Sequence, residues 1–167
     1  IRNEQTNYGQ LTMEAIASAM PGAEVYFLNS GSMRLDDNLS GVVTQYDVLR
    51  TFPYGGGLVS MTLPGDTLNK VLTIGATTNK GTGGYLQVKR LSGDSGNPCD
   101  GQQLLESGKN YKVVLPKYVA DGNEQNLELL GNYPQEPFQE SVTVDGQQVK
   151  NDIRDMVIHQ MKKLGTY

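Results

Sequence analysis

Cysteine and histidine each occur once and tryptophan never in this chain of 167 residues. The lone thiol, Cys99, supports neither an internal disulfide nor a multi-cysteine metal site, and it lies in a Pro/Gly turn with no activating neighbour, so it reads as a bystander. His159 falls off the apolar stripe of the last helical pattern and reads as solvent-facing. A hydrolase built on it, as a triad with a serine or a pair with Cys99, has no nucleophile-elbow signature behind it. Hydrolytic metal sites need several converging ligands, and one histidine with one cysteine is a poor start. Basic residues are also few, 14 Lys+Arg against 18 Asp+Glu for a net charge of -4. That argues against a general nucleic-acid surface and leaves room for one small anion held by one or two arginines. No apolar run approaches the ~18 residues of a membrane span. The glycines at 55–57 and 81–84 are not followed by Lys-Ser/Thr, and no Gly-x-Gly-x-x-Gly opens a helix after a strand, so both common phosphate fingerprints are missing. Asp36, Asp37, Asp152 and Asp155 read as surface or helix-start acids rather than a paired-carboxylate site.

What is present suffices for one domain over 1–167, with a hydrophobic fraction of 37%. The sequence opens on Ile1 rather than Met, which points to a removed leader or a longer parent. Residues 7–20 predict a helix with Tyr8, Leu11, Ala15, Ile16, Ala19 and Met20 on one stripe, an Asn7–Gln10 capping box at its start and Pro21-Gly22 at its end. Strands are predicted at Glu24–Leu28, Val42–Val43, Leu58–Leu63, Tyr85–Val88 and Tyr111–Leu115. Helices are predicted from Thr44 or Gln45, from Gly65-Asp66 with Leu68, Val71, Leu72 and Gly75 inward, and over Asp152–Lys163 with Leu164 continuing the apolar face. Residues 36–40 and 92–101 read as turns, 119–126 as mostly polar, 127–130 as a short apolar run and 132–142 as irregular. Strands and helices mix without strict alternation, which predicts an α+β fold with a mixed sheet packed by helices.

The chemistry concentrates in loops. Asn29-Ser30-Gly31-Ser32-Met33-Arg34 follows a buried strand and delivers an amide, hydroxyls and a guanidinium where ligands gather in sheets of this kind. Tyr54 and Tyr118 each follow a proline closely, in loops at strand or helix ends. They fit a stacking clamp, worth roughly 1–3 kcal/mol per base, and fit equally two tyrosines capping the core. The loop glycines are ordinary turns or close-approach points. Asn38-Leu39-Ser40 is a glycosylation sequon of a kind common by chance.

Set in order, these pieces resemble the C-terminal domain of the 5'-nucleotidase family, which includes UDP-sugar hydrolases and 2',3'-cyclic phosphodiesterases. Arg2 with Thr6-Asn7-Tyr8-Gly9-Gln10-Leu11 is similar to the family's opening Arg and Thr-Asn-hydrophobic-Gly-x-Leu. Asn29–Arg34 resembles Asn-Gly-Gly-Gly-Ile-Arg, Pro53-Tyr54-Gly55-Gly56 resembles Pro-Phe-Gly-Gly/Asn, and Leu63–Leu68 resembles hydrophobic-Thr-Gly-x-Leu. Gly83–Val88 resembles Gly-x-Phe-Leu-Gln-Val, and Tyr111–Tyr118 resembles Tyr-x-Val-x-Leu-Pro-x-Phe. The resemblance implies a substrate-binding domain in which Tyr54 and Tyr118 sandwich a base, Arg2 and Arg34 reach ribose and phosphate, Asn29 serves from its loop, Gly83 lets backbone approach the base, and Glu124 holds the ribose hydroxyls. It implies no cofactor in this chain, a divalent metal pair on a separate metallophosphoesterase domain, a nucleotide or nucleoside ligand, and a periplasmic or cell-surface setting. Ser30 and Ser32 stand where the family has glycine, and Asn123-Glu124-Gln125-Asn126 replaces its Gly-Asp-Gly-aromatic. Those departures leave open a stand-alone module binding a nucleoside, another ring compound or a protein.

Overall fold

The computed structural model describes residues 1–35, 38–91 and 105–165. Its centre is the pairing of β1 (Val25–Asn29) with β4 (Asn110–Pro116), the parallel pair of a four-stranded sheet. β2 (Leu58–Pro64) lies antiparallel along β4, and β3 (Leu86–Arg90) antiparallel along β1, giving the order β2-β4-β1-β3. Every residue of β1 is buried, because both sheet faces are covered. Tyr26 and Leu28 join the core beneath α1 (Asn7–Ala19) and α5 (Ile153–Leu164). Val25 and Phe27 face the other way, into the core shared with α3 (Gly65–Ala76). The period of two along a strand sorts neighbours to opposite faces, so an unbroken apolar run is what a doubly covered strand requires.

α3 buries Gly65, Leu68, Val71, Leu72 and Gly75, the face its periodicity predicts. α2 (Gln45–Thr51) starts with a capping box in which Thr44 and Asp47 satisfy each other's backbone N–H. α1 is capped by Thr6 rather than Asn7: Thr6 Oγ1 accepts from Gly9 N at 3.0 Å. The polar Thr12 within its stripe is fully buried and donates to Tyr8 O at 2.8 Å, which removes the cost of burying its hydroxyl.

Several expectations need correction. Val42–Val43 forms no strand; Val42 is exposed and the segment leads into α2. The loop expected at 115–118 is instead the end of β4 and the start of the short helix α4 (Lys117–Ala120), which carries Tyr118. The stretch expected to be irregular runs into a hairpin, β5 (Ser141–Val144) and β6 (Gln147–Lys150). Its turn is Asp145-Gly146, with φ of 49° and 79°, the left-handed pair that tight hairpins favour. Leu164 is exposed rather than part of the core. His159 is not simply solvent-facing: its Nε2 lies 3.6 Å from Asp145 Oδ2, which also meets Lys163 Nζ at 2.9 Å. Asp36, Asp37, Cys99 and the rest of the 92–101 turn lie outside the described residues. No helix among the described residues is long and apolar enough to cross a membrane.

Candidate functional site

Because β1 and β4 run parallel, their C-terminal ends share one edge of the sheet. The antiparallel partners bring the starts of β2 and β3 to the same edge. Four connections therefore meet there: 29–35, 52–57, 79–85 and 117–126. All the residues expected to bind ligand lie on these connections except Arg2, and the chain terminus carries Arg2 to them. Gly81 N donates to Arg2 O at 2.8 Å, and Gln87 Nε2 donates to Ile1 O at 2.9 Å.

Asn29 ends β1 and is buried, with its backbone opposite Leu86. Its Nδ2 donates to Glu124 Oε2 at 2.6 Å, and its Oδ1 accepts from Ser32 Oγ at 2.7 Å. Glu124 Oε1 accepts from Gln125 N at 3.2 Å. The serines that replace glycines thus turn inward. Ser32 fixes the Asn29 amide, while Ser30, fully buried, shares its one proton between Ile1 O at 2.8 Å and Tyr85 O at 2.7 Å. Gly31 N donates to Gly83 O at 2.6 Å, and a Cβ on Gly83 would lie 3.2 Å from Gly31 Cα. The bare backbone at Gly83 therefore makes room for Gly31.

Arg34 is exposed, anchored through its N–H to Thr51 O at 2.7 Å. Its guanidinium carbon stands 5.6 Å from the centre of the Tyr54 ring, a cation–π arrangement worth about 0.5–1 kcal/mol when exposed. Tyr54 is 74% exposed and Tyr118 54%. Both are aromatic surface held on rigid supports. Leu58 pairs with Pro116 and Lys117 N donates to Gly57 O at 2.9 Å, so the two tyrosine-bearing segments are stitched together. The Tyr54 loop is also tied to α5. Asp152 caps that helix, accepts from Arg154 Nε and Nη2 at 2.9 Å each, and reaches Gly56 N at 3.3 Å. Burial pushes the Asp152 carboxyl up, but the bonds from Arg154 and Gly56 outweigh it and hold the group below its ordinary value. Gly55 has a left-handed φ of 59°, which favours glycine there, and a Cβ would also crowd the Arg154–Asp152 pair.

Three residues that the sequence did not bring forward belong to this edge. Phe138 lies across Gly57, where a Cβ would meet its Cε2 at 2.4 Å. Asn151 fixes its segment, donating to Leu58 O at 2.9 Å and Gln139 O at 2.8 Å. Asn79 is buried between the 79–85 and 117–126 connections. An Asx residue followed by a Gly-rich stretch hints at such a role, but the partner loop lies far along the chain.

Two clefts of about 200 and 290 Å³ open elsewhere, beside the start of α1, and share Asn7, Tyr8, Leu35 and Asn38. None of the residues expected to bind ligand lines them. The edge carrying Tyr54 and Tyr118 is an open face. Among the described residues, no group of three or more His, Cys, Asp or Glu is placed to hold a metal ion.

Protein UshA of Yersinia enterocolitica is 28% identical over 130 residues, 74% of this chain and 23% of its own length. A 5'-nucleotidase of Vibrio parahaemolyticus is 30% identical over 129 residues, again 74% of this chain and 23% of its own. The chain thus spans about a quarter of the length of these relatives. Among solved structures, a 5'-nucleotidase precursor from Thermus thermophilus superposes with a TM-score of 0.73 at 21% identity, over 98% of this chain and 34% of that one. The NAD nucleotidase of Haemophilus influenzae gives 0.66 at 20% identity, covering 96% and 31%. The family described as 5'-nucleotidase, C-terminal domain, matches residues 1–131. With its α+β fold, its mixed sheet and its ordered loop motifs, the chain belongs to the 5'-nucleotidase C-terminal domain family.

Proposed function

We propose that this chain is the substrate-binding domain of a 5'-nucleotidase-type phosphohydrolase that works in the periplasm or at the cell surface. Tyr54 and Tyr118 take the two faces of a base, Glu124 with Asn29 takes the ribose hydroxyls, and Arg34 with Arg2 takes the phosphate. The observation that carries this reading is the stitching of the Tyr54 and Tyr118 segments through Lys117 N and Gly57 O, with the Arg34 guanidinium set over Tyr54. Arg presents a fork of donors to phosphate oxygens, and a carboxylate accepts from a diol. An open face suits a domain that supplies one wall of a site. A metal pair on a separate metallophosphoesterase domain supplies a polarised phosphoryl group and the attacking water. This chain orients the nucleotide toward it, and movement between the halves gates turnover.

A second reading, a module that binds a nucleoside, another ring compound or a protein without taking part in hydrolysis, draws on one observation. Glu124 is already engaged by Asn29 at 2.6 Å, and Ser32 is turned into the same network. Calorimetric titration of the chain with AMP, adenosine and UDP-glucose separates these. Tighter binding of AMP than of adenosine supports the first reading, and equal binding supports the second. Silence for every ligand from folded protein refutes the first reading and the nucleoside form of the second.

A further inference from the structure

Asn79 is 2% exposed and lies at the end of α3, far in sequence from Glu124. Its Nδ2 donates to Gly84 O at 3.2 Å and to Gln125 O at 3.0 Å. Its Oδ1 accepts from Asn126 Nδ2 at 2.7 Å. Two carbonyls on one side and an amide donor on the other fix which end of the Asn79 side chain is nitrogen. The connection after α3 wraps around the residue, with Thr82 N and Thr82 Oγ1 donating to Asn79 O at 3.0 and 2.7 Å. Across the gap, Asn126 adopts a left-handed backbone with φ of 66°, a conformation that asparagine tolerates better than most residues. The residues pinned by Asn79 on that side, Gln125 and Asn126, directly follow Glu124. On the near side, a Cβ on Gly84 would lie 2.5 Å from Asn79 Nδ2 and 3.0 Å from Glu124 Oε1. Asn79, Gly84 and the Glu124 carboxylate are therefore packed as one unit.

Resting on the binding reading above, we propose that Asn79 is a positioning residue that sets the Glu124 carboxylate against Asn29 and so governs recognition of ligand hydroxyls. It touches no ligand itself. With the Asn79 side chain removed, the 117–126 connection loses its tie to the 79–85 connection, and Glu124 no longer has a fixed distance from Asn29 or from a bound diol. Hydroxyl recognition then falls while stacking on Tyr54 and Tyr118 persists.

The test compares wild type, Asn79→Ala and Asn126→Gly. The glycine variant keeps the left-handed backbone and removes one bond, which covers the case in which Asn79→Ala does not fold. The first measurement needs no ligand: the Asn29 side-chain amide signals in a nitrogen–proton correlation spectrum, with circular dichroism confirming the fold. The variants should shift these signals and speed their exchange, in Asn126→Gly more weakly. Unchanged Asn29 signals in a folded variant overturn the proposal, whether or not the wild type binds nucleosides. The second measurement is the affinity for adenosine and for 2',3'-dideoxyadenosine, which lacks the 2'- and 3'-hydroxyls. Asn79→Ala should weaken adenosine about tenfold and the dideoxy compound less than about twofold. Equal losses for both would assign Asn79 a general structural role and overturn the proposal. Failure of the wild type to bind either nucleoside would refute the binding reading and with it the hydroxyl-recognition half of the proposal, while the Asn29 signals would still decide whether Asn79 positions Glu124.

Discussion

Replacing Gly57 by alanine would set a methyl carbon 2.4 Å from Cε2 and 2.6 Å from Cζ of Phe138, and 3.3 Å from Asn151 O. No Cβ sits that close to a ring, so the ring must leave. Phe138 is 39% exposed, so its displacement gives up roughly three-fifths of the burial of a phenylalanine, about 1–2 kcal/mol at ~25 cal/mol per Å². For a domain of this size each 1 kcal/mol lowers Tm by about 2–4 °C, so Gly57→Ala should cost about 2–8 °C. Phe138→Ala should cost a similar amount, since it forfeits the same contacts. The informative variant is the double substitution: with the ring absent, the added methyl meets only Asn151 O at 3.3 Å, and the pair should lie close to Phe138→Ala alone. A double-mutant cycle by urea or thermal unfolding reads this as a coupling of about 1–2 kcal/mol. Additive losses would refute the argument, because they would place the clash somewhere other than Phe138. Gly57 also accepts the Lys117 N–H, so adenosine titration of the same variants shows whether the strain reaches the tyrosines.

Arg34→Ala should weaken AMP about 10–100-fold, the loss of charge-assisted bonds, and adenosine by no more than about 2–5-fold, the loss of the cation–π contact; calorimetry reads both, and equal losses would make the arginine structural. Tyr118→Ala should weaken adenosine and AMP alike by roughly 1–3 kcal/mol and, with Tyr118 54% exposed, lower Tm by somewhat less than Phe138→Ala does. Asp152 has a folded pKa below its ordinary 3.8, burial being outweighed by the bonds from Arg154 and Gly56. Its stabilisation is complete above that ordinary value and disappears as the pH falls through the lower folded one. Asp152→Asn should therefore lower Tm at neutral pH, and the gap to wild type should close in strong acid. A gap that persists there would mean that the charge is not the cause.

Much of the scaffold could be read from residue pattern, because apolar spacing reports burial directly. The stripe Leu68, Val71, Leu72 and Gly75 of α3 and the unbroken run of β1 are examples. The hairpin at 141–150 carried a legible signal in Asp145-Gly146 that the polar composition around it masked. The loop motifs located the edge where the connections meet. Sequence could not show that Ser30 and Ser32 point inward rather than toward a ligand, since a hydroxyl's direction depends on Tyr85 and Asn29, brought near only by the sheet. Phe138 and Asn79 stayed hidden for the same reason: their partners are set by tertiary packing and not by spacing along the chain.

The parallel pairing of β1 with β4 also fixes when this edge can exist. Asn29 and Glu124 stand 95 residues apart in the chain, and their bond forms only after that whole loop has closed. Closing long loops slows folding more than it lowers stability. The Asn29–Glu124 contact is therefore expected to form late in folding. Nucleoside binding, where measured, doubles as a probe of complete folding: its kinetics of appearance should follow the slowest refolding phase, not the earlier gain of helix.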